Sequence, residues 1–145
     1  MTLTEEPKTP KIEQIAVDFD ERHRILHVAS RVIIHPASPE HLDIVFAAFK
    51  RMLDKFTAAG RVYLIIDMSN IIIEPELRAL YSDHVRDIYQ KYVYPHGVAR
   101  YGYQITRITV RSGHGTYLKE NPNIFNSRDE AEKYIHSIIK RLQSS

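Results

Sequence analysis

The sequence predicts an α/β fold, in which a mixed β-sheet begins with an antiparallel hairpin and about three helices pack on it. Segments with strand-like patterns are interleaved with segments of helical periodicity along most of the 145 residues. Helices that alternate with strands after an initial hairpin favour a sheet covered by helices. The length and the 43% hydrophobic content fit one core. We therefore predict a single domain over residues 12–145, preceded by a short flexible leader over residues 1–11.

The first two strands are predicted to form the hairpin. Ile15, Val17 and Phe19 alternate with Gln14, Ala16 and Asp18, which is the pattern of a half-buried strand. A second alternating run extends from Leu26 to Ile34, after the polar cluster at residues 20–23. Two such runs around a short polar link predict an antiparallel pair.

The first helix is predicted to begin after Ser38, because a hydroxyl cap followed by Pro39 is a typical helix start. Gly60 is predicted to end it in a left-handed conformation. The apolar residues between them recur at helical spacing: Leu42, Val45, Phe46, Phe49, Leu53 and Phe56.

The segment Val62–Ile66 is apolar on both faces, so it is predicted to be a central strand covered on both sides. Glu74-Pro75-Glu76 resembles another helix start, and Tyr94-Pro95-His96-Gly97 is predicted to end that helix. The helical face in between is formed by Leu77, Leu80, Tyr81, His84, Ile88 and Tyr92.

The last third of the chain predicts two strands and a helix. Residues 101–111 alternate as an extended strand, and Asn123–Asn126 is a short strand-like segment. Ser127 and Glu130 form a capping box at the start of the final helix. Its buried stripe is predicted to consist of Ala131, Tyr134, Ile135, Ile138 and Leu142.

Composition excludes several classes of function. With no cysteine, the chain has no disulfide, thiol nucleophile or cysteine-ligated metal. Its 20 basic and 18 acidic residues are interspersed, which disfavours nucleic acid as a partner. The eight histidines are scattered, so we expect no metal site and no cofactor. No apolar run approaches the length of a membrane span or signal peptide, and we expect a cytoplasmic protein.

The element order over residues 12–142 and two short motifs resemble the STAS superfamily, specifically its SpoIIAA-like branch. The superfamily is named after sulfate transporters and anti-sigma factor antagonists. One motif is the apolar strand that ends in Asp67-Met68-Ser69-Asn70, followed by a helix from Pro75. The other is the ending 124–131, where a short apolar strand leads into a serine-capped helix. The resemblance implies a non-catalytic regulatory or protein-interaction domain with a protein partner, a homodimer being one form.

One departure from the family concerns its phosphorylation switch. Regulatory members carry an Asp-Ser-Ser-Gly turn whose serine is phosphorylated by a partner kinase, whereas this chain has Glu74 or Glu76 in that region. Either glutamate supplies a permanent negative charge near a helix start, or both are ordinary first-turn acids. Ser69 is the nearest hydroxyl. The switch at this turn is therefore not carried over.

Two groups of residues are candidate sites. The first is an interaction or ligand loop after the central strand, and its alternative interpretation is that these side chains only satisfy loop amides. Its members are Asp67, Ser69, Asn70, Glu74 and Glu76. The second is a partner surface rich in tyrosine and arginine, residue types enriched at interfaces, although tyrosines also pack in cores. Its members are Tyr89, Tyr94, Arg100, Tyr101, Tyr103, Arg107 and Arg111.

Two alternative functions remain open at this point. One is a small-molecule or lipid-binding module, with an apolar pocket between the sheet and the helical faces Leu42–Phe56 and Leu77–Tyr92. The other is an enzyme that uses Asp67, Ser69 and His84, which requires these side chains to come within hydrogen-bonding reach. His84 also lies on an apolar stripe, which is typical of a partly buried core histidine.

Overall fold

A computed structural model describes residues 14–102 and 123–144 of the chain. A 3₁₀ turn at Pro75–Leu77 leads directly into the second helix. The elements, in chain order, are β1 (Ile15–Asp20), β2 (Ile25–Ser30), α1 (Pro39–Phe56), β3 (Val62–Asp67), α2 (Arg78–Tyr92), β4 (Val93–Tyr101), β5 (Ile124–Phe125) and α3 (Arg128–Ser144).

The five strands form one mixed sheet in the order β1-β2-β3-β4-β5. β1 and β2 are antiparallel, with Val17 opposite Val28, and every other neighbouring pair is parallel. The predicted fold class, including the N-terminal hairpin and three helices, is confirmed. The carboxyl ends of β2, β3 and β4 all lie at one edge of the sheet, where ligand and partner sites often form in α/β folds.

Strand alternation divides the core into two layers, one on each face of the sheet. Leu26, Leu64 and Val98 point to the face covered by α1 and α2, where they pack with fully buried residues such as Leu53. On the other face, α3 packs against the opposite positions of the same strands. These side chains are Ile25, Tyr63, Ile65 and Ala99 from the strands, and Ala131, Ile135, Ile138 and Ile139 from the helix. The result is a three-layer arrangement.

Capping bonds set the ends of α1. The Ser38 hydroxyl accepts a hydrogen bond from the His41 amide at 3.1 Å, as the sequence predicts. The prediction that Gly60 caps the other end is wrong, because α1 ends at Phe56 and Thr57 donates to the Leu53 carbonyl instead. Gly60 follows in the loop with a φ of +140°.

Two arginines hold the carboxyl ends of α1 and α2. Arg24, which has a φ of 59°, donates to the carbonyls of Phe56, Gly60 and Arg61 at 2.8–2.9 Å. Arg61 donates through Nη1 to the carbonyls of Gln90 and Val93. Cationic side chains at these positions offset the negative end of the helix dipole and occupy carbonyls that have no partner within the helix.

The predicted boundary between α2 and the next strand is wrong. The sequence predicts that Tyr94–Gly97 ends the helix, but β4 begins at Val93, immediately after α2. A bulge accommodates the proline and glycine, since Val62 pairs with Val93 and Leu64 pairs with Val98. The strand predicted over 101–111 overlaps β4 only at Tyr101, and residues 103–111 lie outside the described part of the chain.

The predicted capping box of α3 is present. The Glu130 amide donates to the Ser127 hydroxyl at 3.3 Å, and the Glu130 carboxylate accepts from the Asn126 amide at 3.0 Å. Leu142, predicted to be buried, is 48% exposed, and Ile139 packs in the core of this layer. Within the described ranges, none of the helices combines the length and the apolar character needed to cross a bilayer.

Candidate functional site

Two loops at the carboxyl ends of β2 and β3 run side by side and form what we call the rim, residues 32–37 and 68–76. Ile34 donates from its amide to the Asn70 carbonyl at 2.7 Å, and Ile72 donates to the Ile34 carbonyl at 2.9 Å. These bonds make a parallel bridge between Ile34 and Ile71. The rim is therefore an ordered surface and not two independent loops.

Asp67 and Ser69 fold the start of the rim. Asp67 Oδ1 accepts hydrogen bonds from the Ser69 amide at 2.9 Å and from the Ser69 hydroxyl at 2.5 Å. The amide of Met68, which lies between these two residues, donates to the Tyr101 carbonyl at 2.8 Å. Phosphorylation of Ser69 would remove the hydrogen bond from its hydroxyl to Asp67 and place further negative charge beside that carboxylate. The geometry therefore disfavours modification of Ser69.

The remaining loop candidates divide by role. Asn70 donates from its side-chain amide to the Ser30 carbonyl at 2.8 Å and so ties the rim to β2. Glu74 Oε2 lies 3.2 Å from His35 Nε2, and Glu76 is exposed in the 3₁₀ turn. Asp67, Ser69 and Asn70 thus hold the backbone of the rim, whereas Glu74 and Glu76 place negative charge on its surface.

The rim also exposes two large apolar side chains. Ile71 packs at the margin of the core beneath α1 and α2, and its bridge partner Ile34 is partly buried. The alternation of the bridged backbone turns Ile33 and Ile72 the other way, where they are 69% and 37% exposed. Sequence reasoning did not single out these isoleucines, because only the pairing of the two loops shows which of five clustered isoleucines face outward.

The structure does not bring His84 to Asp67 and Ser69. Asp67 follows Ile65 on the face covered by α3, whereas His84 belongs to α2 on the opposite face. His84 Nε2 lies 2.6 Å from Asp43 Oδ1, and its ring stacks on Phe46 with centroids 4.5 Å apart. The partly buried structural histidine is therefore the interpretation that fits the geometry. Among the described residues, no three metal-ligating side chains cluster.

A polar cluster that sequence reasoning missed lies on the α3 face. His27 from β2 is 8% exposed, and its Nε2 lies 2.6 Å from the hydroxyl of Tyr101 in β4. Arg128, at the first position of α3, donates to Asp18 and to Glu132. The alternation of β2 could indicate the face of His27, but its partner depends on the position of β4, which the sequence pattern misplaced.

Burial determines the ionisation of this cluster. Burial, together with the charge of Arg128, lowers the pKa of His27, although Asp67 and Asp18 act in the opposite direction. Burial and the nearby Asp67 carboxylate raise the pKa of Tyr101. Both shifts favour the neutral forms, so the phenol and the imidazole share a hydrogen bond that joins β2 to β4.

The described members of the predicted tyrosine- and arginine-rich surface lie in different places. Tyr89 and Tyr94 line a groove beside α2, whereas Tyr101 belongs to the polar cluster. Arg100, a candidate for this surface, is only 3% exposed, and its Nη2 donates to Asn123 Oδ1 at 3.2 Å. Tyr103, Arg107 and Arg111 lie outside the described residues.

The helical faces proposed to line an apolar pocket pack against each other. Leu42, Leu53 and Ile88 are at most 2% exposed and belong to one continuous core with β2 and β3. Their packing leaves these faces occupied by protein side chains.

Comparisons with protein-family models, with curated proteins and with solved structures found no match to this chain. The resemblance to the STAS superfamily therefore stays a prediction.

Proposed function

We propose that this chain is a non-catalytic protein-interaction domain whose rim binds a partner protein. The observation that carries the proposal is the outward placement of Ile33 and Ile72 by the Ile34–Ile71 bridge. A large apolar side chain contributes about 1.5–3 kcal/mol when it moves from water into a packed interface. Two such side chains on a rigid surface suit recognition, because little ordering is needed on binding.

Charge on the same surface indicates the chemistry of the partner. Glu74 and Glu76 lie on the rim, and the exposed Arg31 and Glu40 flank its first loop. A partner with apolar side chains and charges of both signs would complement this surface.

The resemblance to STAS proteins supports a regulatory role for this interaction. In the family's regulatory members the corresponding region carries a serine that a kinase phosphorylates. Here Glu74 and Glu76 carry permanent charge, and the Ser69 hydroxyl is held by Asp67. We propose that binding by this chain does not depend on phosphorylation of this turn and is governed by the concentrations of the two proteins.

The test is affinity purification of the tagged chain from cells that naturally contain it. We expect a partner to co-purify with the unmodified chain and to be lost with Ile33→Asp/Ile72→Asp. Leu142→Asp is the matched control, since Leu142 is 48% exposed on α3, in the opposite layer. All three proteins must unfold at similar temperatures. Retention of the same partner by the rim variant, or its equal loss with the control, would contradict the proposal.

A further inference from the structure

A groove of about 590 Å³ lies between the carboxyl end of α2, the first half of β4 and α3. It is at the amino ends of β3 and β4, on the opposite edge of the sheet from the rim. Its volume falls within the range of about 300–1,000 Å³ typical of small-molecule sites. The residues that decide its chemistry are Arg61, Tyr89, Tyr94, His96, Asn123 and Tyr134.

The bulge in β4 builds one wall of this groove. Tyr94–Gly97 stand opposite the single residue Tyr63, and His96 adopts a φ of 61°. A Cβ at Gly97 would lie 2.8 Å from the Tyr94 carbonyl, so only glycine fits there. Strained backbone of this kind often occurs at functional sites, since surrounding contacts must maintain it.

Aromatic contacts hold the bulge in place. Tyr63 stacks on Tyr94 with ring centroids 4.7 Å apart, and the Tyr134 hydroxyl donates to the His96 carbonyl at 3.1 Å. The rings of Phe125 and Tyr134 also pack together, with centroids 5.1 Å apart. The groove is thus preformed, so ligand binding would require little ordering of its side chains.

The lining combines flat aromatic surfaces with one fixed positive charge. Tyr89, Tyr94 and Tyr134 contribute aromatic lining, and none of the described residues that line the groove carries a carboxylate. Arg61 Nη1 donates to the carbonyls of Gln90 and Val93, which would otherwise repel an anion at the end of α2. Within the described residues, Arg61 Nε and Nη2 make no hydrogen bond.

From this charge complementarity we propose that the groove binds a small planar aromatic molecule that carries one carboxylate. The ring stacks among the tyrosines, and the carboxylate accepts hydrogen bonds from the Arg61 guanidinium. The site is separate from the rim, so its test does not depend on the proposed protein partner.

Three probes of similar shape separate the contributions of ring and charge: 2-naphthoate, 2-naphthamide and 2-naphthylmethylamine. Since the chain has no tryptophan, binding is followed by NMR titration of the isotope-labelled protein. We expect the carboxylate to bind most tightly and to shift the resonances of groove residues. Equal or tighter binding of the amide or the amine, shifts elsewhere, or no binding of the carboxylate would overturn the proposal.

Two variants of Arg61 test its role. Arg61→Gln should weaken binding of 2-naphthoate by about tenfold or more, whereas Arg61→Lys should retain part of it, because the charge persists without the planar fork. Arg51→Gln, on the exposed side of α1, is the matched control and should bind normally. If Arg61→Gln unfolds because the helix cap is lost, two other comparisons test the role of Arg61. They are the affinity of Arg61→Lys against that of the unmodified chain, and the affinity of 2-naphthoate against that of 2-naphthamide. Unchanged binding in the Arg61 variants would contradict the assignment.

Discussion

Substitution of Gly102 by alanine perturbs the start of the rim at one defined contact. Gly102 has a φ of +70°, and a Cβ there would overlap the Ser69 hydroxyl and lie 2.6 Å from Asp67 Oδ1. Left-handed backbone costs a non-glycine residue about 1–2 kcal/mol. Breaking the Ser69–Asp67 hydrogen bond adds about 0.5–1.5 kcal/mol. We therefore expect Gly102→Ala to lower the free energy of unfolding by about 1.5–3.5 kcal/mol.

The assay is urea denaturation followed by circular dichroism, with thermal unfolding as a second measure. For a chain of this size the loss corresponds to a decrease in Tm of about 5–10 °C. Gly60→Ala is the control, because Gly60 has a φ of +140° and no heavy atom lies within 4 Å of the added Cβ. Its loss comes from backbone strain without a steric overlap.

A double variant isolates the steric part of the effect. Ser69→Ala removes the hydroxyl that the new Cβ would meet, so Ser69→Ala/Gly102→Ala should be less destabilised than the sum of the single variants by about 1 kcal/mol. If the Ser69→Ala and Gly102→Ala substitutions are additive, the reasoning about this contact is refuted.

Three further predictions concern the core, the caps and the polar cluster. Because burial lowers the pKa of His27, the imidazole is neutral when folded and takes up a proton on unfolding, so stability should fall as the pH drops below about 6.5. His27→Gln should remove that part of the pH dependence of the urea midpoint, and an unchanged profile would contradict it. Arg24→Ala should cost about 2 kcal/mol and Arg24→Gly about 1 kcal/mol less, since the φ of Arg24 is 59°; equal losses in denaturation curves would count against the strain argument. Leu53→Ala should cost about 2–5 kcal/mol by the same assay, because Leu53 is fully buried, and a loss under 1 kcal/mol would show that the site collapses.

Much of the fold could be predicted because local signals and tertiary packing agree. The Ser38-Pro39 start of α1, the two-sided apolar strand at residues 62–66 and the Ser127–Glu130 cap all appear where the pattern places them. Each signal depends on residues within a few positions of one another, so no long-range information was needed.

Strand β4 was placed incorrectly because local sequence signals do not determine its position. Proline and glycine at residues 95 and 97 predict a chain break, yet the bulge opposite Tyr63 absorbs both within a strand. The strand is held by burial of Val98 and Ala99 between neighbouring strands, which is a long-range effect. The same error concealed the His27–Tyr101 contact and the burial of Arg100.

The geometry of the candidate loop depends on contacts that the sequence pattern does not show. The loop after β3 does form an ordered surface, but the side chains that motivated it, Asp67 and Ser69, bond to each other. The exposed isoleucines of the rim depend on the pairing of residue 34 with residue 71, far apart in the sequence. A pattern within one segment does not contain that pairing.

Site-specific photo-crosslinking tests the central claim most directly. A photoreactive phenylalanine analogue placed at residue 33, 72 or 142 samples the rim twice and the exposed end of α3 once. In cells that naturally contain the chain, we expect an adduct with the same partner protein from positions 33 and 72 and none from position 142. Adducts from position 142 alone, or from the rim only with a second copy of the chain, would contradict the account.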